Sequence, residues 1–265
     1  MRVSIIGFGN MAKAFAHGLL RDPENHIQVA SPSLHMGIRD DGIHTHHNNQ
    51  AIIPKAEIII LAVKPSQMDA VLTEINPLLT NNQLLISIAA GLTFEWFNKH
   101  LPKHTPLVRA MPNLAAKCGE SATPLIANIF VTPAQRTTAE RIFLSSGIIT
   151  WTEQESDLDA FTALSGSGPA YLFLFMNAMV NAGVTLGLPE EISRTFAIQT
   201  VQGAMTLAKT EQLSLTELQK TVTSKGGTTA AAIRIFQDHN LESIVLEAMK
   251  AAYQRSRELG NSNSG

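Results

Sequence analysis

The first twenty residues, MRVSIIGFGNMAKAFAHGLL, constrain what this chain can fold into more than any other stretch. Residues 2–6 read as a buried strand, and an amphipathic helix pattern starts near Asn10. Between them runs Gly7-Phe8-Gly9-Asn10-Met11-Ala12. A G-x-G-x-x-A turn between strand and helix is the dinucleotide fingerprint. Gly7 permits the tight turn, Gly9 lets the backbone approach a pyrophosphate, and Ala12 lets the helix pack on the strand. The free N–H groups at the helix start then face the phosphates.

The alternation continues through the first half. Strands are expected at 27–30, 57–63, 83–89 and 106–111, and helices at 66–79, 93–99 and 133–144. The run EIIILAV at 57–63 is apolar throughout, as in a parallel sheet covered on both faces. After Trp151 strand signals vanish. Helical patterns follow at 170–186, 190–209, 214–222, 228–237 and 241–259. The expected class is therefore α/β, an N-terminal Rossmann-type doubly wound sheet over 1–152 followed by an all-helical C-terminal domain over 153–265. The helix at 170–186 is apolar on nearly every face, which predicts burial in a subunit interface.

Composition narrows the function classes. The chain has 265 residues, 45% hydrophobic and only 16% charged, with a net charge of −2. No basic stripe stands out, which argues against nucleic acid as a partner. The single cysteine, Cys118, rules out an intrachain disulfide and fits a reducing compartment. The first strand starts at once, leaving no room for a signal peptide, so a cytoplasmic protein is expected. The longest apolar run, 171–180, is broken by Asn177 and Asn181, so no membrane span is expected. His44, His46 and His47 cluster without a cysteine or carboxylate nearby, and no metal site is expected.

The end of the second strand separates the two nicotinamide dinucleotides. NAD enzymes place a carboxylate there for the ribose 2′-hydroxyl. Here the position reads Ala30-Ser31-Pro32-Ser33. Small hydroxyl residues leave room for a 2′-phosphate, which favours NADP, with NADPH preferred over NADH. The plainer alternative is a proline turn with solvated serines.

Two glycine-rich segments interrupt the helical half, where glycine is costly. One is Ser165-Gly166-Ser167-Gly168-Pro169-Ala170-Tyr171, and the other is Thr223-Ser224-Lys225-Gly226-Gly227-Thr228-Thr229. Each alone reads as a hinge. The second also places backbone N–H groups at a helix start, where an anion could sit. Together they resemble the pyrroline-5-carboxylate reductases. The likeness extends to GFGNMA, Asn48-Asn49-Gln50, Leu61-Ala62-Val63-Lys64-Pro65, Ala89-Ala90-Gly91 and Arg109-Ala110-Met111-Pro112-Asn113, in the family's order over nearly the whole chain.

The resemblance implies reduction of 1-pyrroline-5-carboxylate to L-proline, the final step of proline biosynthesis. It implies a homodimer through the helical domain, and assembly of dimers into rings, up to a decamer of dimers. Carried over, Ile6, Gly7, Phe8, Gly9, Asn10, Met11, Ser31, Ser33 and Asn49 bind the pyrophosphate and adenosine side of the cofactor. Ala62, Val63, Lys64, Pro65, Ala90 and Asn113 are expected along the cofactor's remaining length. Ser224, Gly226, Gly227, Thr228 and Thr229 hold the substrate carboxylate, with Glu155 and Thr221 beside it. The Thr229 hydroxyl meets the imine nitrogen as the catalytic group. Three departures bear on the substrate. Lys225 stands where the family has proline, Leu114-Ala115 where it has Thr-Pro, and Thr221 where asparagine is common. Two other readings share this architecture. One is a 3-hydroxy-acid oxidoreductase, disfavoured because the helix at 170–186 holds no lysine. The other is a catalytically silent NADPH-binding paralogue.

Overall fold

The computed structural model describes residues 1–262. Its strands are β1 (Arg2–Ile6), β2 (His26–Ala30), β3 (Gly37–Ile38), β4 (His44–His46), β5 (Ile58–Leu61), β6 (Leu84–Ser87), β7 (Leu107–Ala110), β8 (Ser121–Ala127) and β9 (Gly147–Trp151). The helices are α1 (Asn10–Leu19), α2 (Pro65–Ile75), α3 (Phe94–His100), α4 (Pro133–Leu144), α5 (Asp157–Phe161), α6 (Gly168–Thr185), α7 (Glu190–Thr210), α8 (Leu215–Thr221), α9 (Thr228–Asp238) and α10 (Leu241–Ser262).

Among the described residues one mixed sheet runs in the order β3-β4-β2-β1-β5-β6-β7-β8-β9. The strands β4, β2, β1, β5, β6 and β7 run parallel to one another. The apolar run in β5 explains its central place. Ile58 and Ile60 join the core with Phe15 and Phe143, and Ile59 and Leu61 join the opposite core with Met68 and Phe97. Successive side chains point to opposite faces, so a strand covered on both sides needs apolar residues at every position.

Three strand features escape sequence patterning. The short β3 and β4 form a hairpin on the far side of β2. The strand β8 carries Pro124, which ordinarily counts against a strand. It runs antiparallel to β7, and Pro124 lies one residue beyond the last paired position, Ala110 against Leu125. There its carbonyl still accepts the Met111 N–H at 3.1 Å, and the missing N–H falls at the end of that ladder. The edge strand β9 has alternate exposed residues and starts at Gly147, whose φ is +148°. A Cβ there would sit 2.0 Å from the Ser121 carbonyl oxygen, so only glycine fits.

The chain divides into two compact units. One holds residues 1–169 and the stretch from Ala251, and the other is Ala170–Lys250. A sequence division after residue 152 falls earlier than this one. In the first unit, α5 runs into a wide turn at Thr162–Gly166 with π-type spacing. That turn brings the Ser165 carbonyl oxygen to Asn113 Nδ2, at 2.9 Å.

The second unit is helical. Gly183 of α6 lets α7 approach, since a Cβ there would meet Ser193 Oγ at 2.8 Å. Ser214 and Glu217 form a reciprocal capping box at the start of α8. No residue of α6 is buried within the single chain, and Leu174 is 74% exposed. Continuity of the helix also corrects the sequence reading of apolar length. The helical run Asp157–Thr185 is long and apolar enough to cross a membrane by length and composition.

Candidate active site

The fingerprint turn forms as its residues require. Gly7 has φ +89°, and a Cβ on it would meet the Ala62 carbonyl oxygen at 2.7 Å. Nothing lies within 4 Å of the place where a Cβ of Gly9 would stand. Gly9 caps α1 without a side-chain hydrogen bond, leaving the first-turn N–H groups open to a ligand. A close-packed Gly7 beside an open Gly9 is the shape a pyrophosphate needs.

A cleft of about 350 Å³ runs from this turn across the C-terminal ends of β1, β2 and β5. Ile6, Gly7, Phe8, Gly9, Ser31, Ser33, Asn49, Ala62, Val63 and Lys64 line it. The Ser31 and Ser33 hydroxyl oxygens are 3.2 Å apart, so both can address one group. Asn49 Nδ2 donates to Glu74 Oε2 at 2.6 Å, which orients its amide. Lys64 caps α2, with Pro65 as the first helical residue. Gln67, in the first turn of α2, also lines the cleft. Sequence reading missed it, although its position two residues beyond the Lys64-Pro65 turn was the available signal.

Other expected cofactor residues lie outside that lining. Asn10 and Met11 belong to the first turn of α1. Ala90 follows β6, next to Gly91 with φ +79°. Asn113 spends both ends of its amide on structure. Its oxygen accepts from the Ala115 N–H at 3.0 Å and its nitrogen donates to Ser165.

Glu155 lies in the sheet-bearing unit. It accepts a short hydrogen bond from Arg109 Nη1 and another from the Phe94 N–H at 2.5 Å. Both residues line a second cavity of about 220 Å³ together with Gly91, Thr93 and Asp159. Burial pulls the Arg109 pKa below the ordinary arginine value, and the Glu155 carboxylate opposes that pull.

The 224–229 loop lies in the helical unit, between α8 and α9. Gly226 has φ +74°, and Gly227 caps α9. The Gly227 N–H donates to the Ser224 carbonyl at 3.1 Å. Thr228 and Thr229 then open the helix. Their N–H groups and that of Ala230 precede the first intrahelical bond, from Ala231 to Gly227. Such a start suits a carboxylate.

The comparisons with known proteins agree over the whole length. Residues 155–259 match the family described as pyrroline-5-carboxylate reductase dimerisation. Residues 2–91 match the one described as NADP oxidoreductase, coenzyme F420-dependent. The pyrroline-5-carboxylate reductase of Pseudomonas aeruginosa is 39% identical over 263 residues, spanning 97% of this chain and 96% of its own. The chain belongs to the pyrroline-5-carboxylate reductases. Solved reductase structures superpose closely. That from Coxiella burnetii has a TM-score of 0.88 at 38% identity, covering 97% of each chain. The one from Plasmodium falciparum, with NADP bound, has a TM-score of 0.89 at 30% identity and covers 98% of each.

Lys225, Leu114 and Thr221, expected from the resemblance to differ from the family, lie in short turns or at a helix end. Lys225 is exposed in the turn before Gly226. Leu114 opens a short 3-10 turn capped by Asn113 and is 42% exposed. The Thr221 hydroxyl donates to the Leu218 carbonyl of its own helix at 2.7 Å.

Proposed function

We propose that this reductase converts 1-pyrroline-5-carboxylate to L-proline with NADPH, and that the cleft from Gly7 to Lys64 takes the dinucleotide. The observation that carries the reading is the open Gly9 of the fingerprint turn in a chain of this family. Bound in the cleft, reduced nicotinamide supplies a hydride. Ser31 and Ser33 hold the 2′-phosphate, and the first turn of α1 faces the pyrophosphate.

The substrate is a cyclic imine bearing a carboxylate. The N–H groups of Thr228, Thr229 and Ala230 hold that carboxylate, and Ser224 adds a hydroxyl. Thr229 is half-buried in the first turn of α9, where its hydroxyl can meet the imine nitrogen. An imine is basic enough to take its proton from solution. A polariser at nitrogen, rather than a strong acid, then suffices to make the carbon electrophilic.

Two chains associate through the helical region. The dimerisation match over 155–259 supports this, as does the apolar, uncovered surface of α6. The same pairing accounts for the apolar run Asp157–Thr185 without a membrane. Closure of dimers into a ring and a cytoplasmic setting complete the reading. The test is oxidation of NADPH and of NADH by the purified chain with pyrroline-5-carboxylate. Turnover that is faster with NADPH is expected. Tight NADPH binding without turnover would favour the silent paralogue.

A further inference from the structure

Two cations stand near Phe8, which lines the cleft together with Ser31 and Ser33. Arg39 follows β3 on the hairpin to β4. Its guanidinium carbon lies 5.4 Å from the centroid of the Phe8 ring, which walls the cleft. Lys13 Nζ lies 5.8 Å from the same centroid.

The hairpin is tied to the serine loop. The Ser31 N–H donates to the His46 carbonyl at 3.0 Å, and Ala30 pairs with His46 in the sheet. Thr45 Oγ1 donates to the carbonyls of His35 and Gly37, at 2.5 and 3.1 Å. The Arg39 N–H closes the hairpin on the Ile43 carbonyl at 3.0 Å. The Arg39 side chain is then held by one edge. Its Nε donates to both oxygens of Asp41 at 3.2 Å, and Asp41 also accepts from the Ile43 N–H at 3.3 Å. Neither Nη group hydrogen-bonds to another described residue. A guanidinium held along its Nε edge, packed on Phe8 of the cleft wall and carrying four Nη–H donors, is suited to fork recognition of an oxyanion.

We propose that Arg39 is a specificity-determining residue that reads the 2′-phosphate together with Ser31 and Ser33. The inference rests on the NADPH reading above. A guanidinium at this place gains a charge-assisted bond from a phosphate and little from a ribose hydroxyl. It therefore separates NADPH from NADH, where the serines alone would merely tolerate both. Asp41 is the positioning partner, because it takes the Nε edge and leaves the Nη groups uncommitted.

The test uses the full chain and two ligands that lack nicotinamide, adenosine 2′,5′-bisphosphate and AMP, with binding read by calorimetry. Wild type is expected to bind the bisphosphate about tenfold or more tighter than AMP. Arg39→Gln is expected to weaken the bisphosphate by about tenfold or more and leave AMP unchanged. Arg39→Lys should fall between, since it keeps charge and loses the fork. Unchanged bisphosphate binding in Arg39→Gln overturns the assignment while the NADPH reading stands. Equal weakening of both ligands also overturns it, because Arg39 would then only support the Phe8 wall. Wild type with no preference for the bisphosphate overturns the NADPH reading and the inference with it.

Discussion

Arg109 and Glu155 form an ion pair that joins β7 to the segment just ahead of α5, with the arginine side chain only 8% exposed and the glutamate side chain 29%. The same carboxylate oxygen accepts the Phe94 N–H, so α3 is tied in as well. The Arg109 guanidinium carbon lies 5.9 Å from the Phe94 ring centroid. Removing one partner of such a pair leaves a buried charge uncompensated, at about 3–5 kcal/mol. Glu155→Ala is therefore expected to cost about 3 kcal/mol, measured as a shift in urea midpoint at fixed protein concentration. The double variant Arg109→Met, Glu155→Met should recover much of that loss. A loss below about 1 kcal/mol in the single variant would remove the pair from the stability account.

The two fingerprint glycines should respond differently. Gly7→Ala forces a side chain onto φ +89° and against the Ala62 carbonyl, so folding itself should suffer. Gly9→Ala meets no protein atom and has an ordinary φ of −75°. Its stability should stay within about 0.5 kcal/mol of wild type, while its Kd for NADPH rises about tenfold or more. Unaltered NADPH affinity in Gly9→Ala would show that the pyrophosphate lies elsewhere.

Thr229→Ala tests the polariser. Loss of one hydrogen bond to a charged group is worth about 1.5–3 kcal/mol, or roughly 10- to 100-fold in kcat. NADPH affinity should not change, and Thr229→Ser should restore most of the rate. Full kcat in the alanine variant would end the catalytic assignment.

Acid should weaken the N-terminal strand through Glu57. Its carboxylate accepts the Arg2 N–H at 3.0 Å, and this bond, with the Arg2 charge, holds its pKa below the ordinary glutamate value of 4.5. A folded-state pKa below the unfolded one means stabilisation that is present above pH 4.5 and lost as pH falls through the folded value. The side chain is 50% exposed, so screening leaves only a few tenths of a kcal/mol. Glu57→Gln should flatten the stability profile below pH 4.5 and leave the neutral plateau nearly unchanged. An acid slope identical to wild type would exclude this contribution.

Much of the fold and cleft is legible in the chain itself because the relevant signals are local. Strand, glycine turn and helix follow one another within twenty residues. The missing carboxylate after β2 is a single position, and the glycine-rich segment at 224–229 is contiguous. Apolar residues at every position of β5 announce a sheet covered on both sides. What tertiary structure decided lies across distances that no local pattern spans. Pro124 is tolerated in β8 because β7 ends opposite it. Glu155 meets Arg109 across 46 positions, and Asn113 meets Ser165 through a wide turn across 52. Arg39 comes onto the Phe8 ring because β4 pairs with β2. Pairing register and side-chain burial set these contacts, and both arise only once the sheet has assembled.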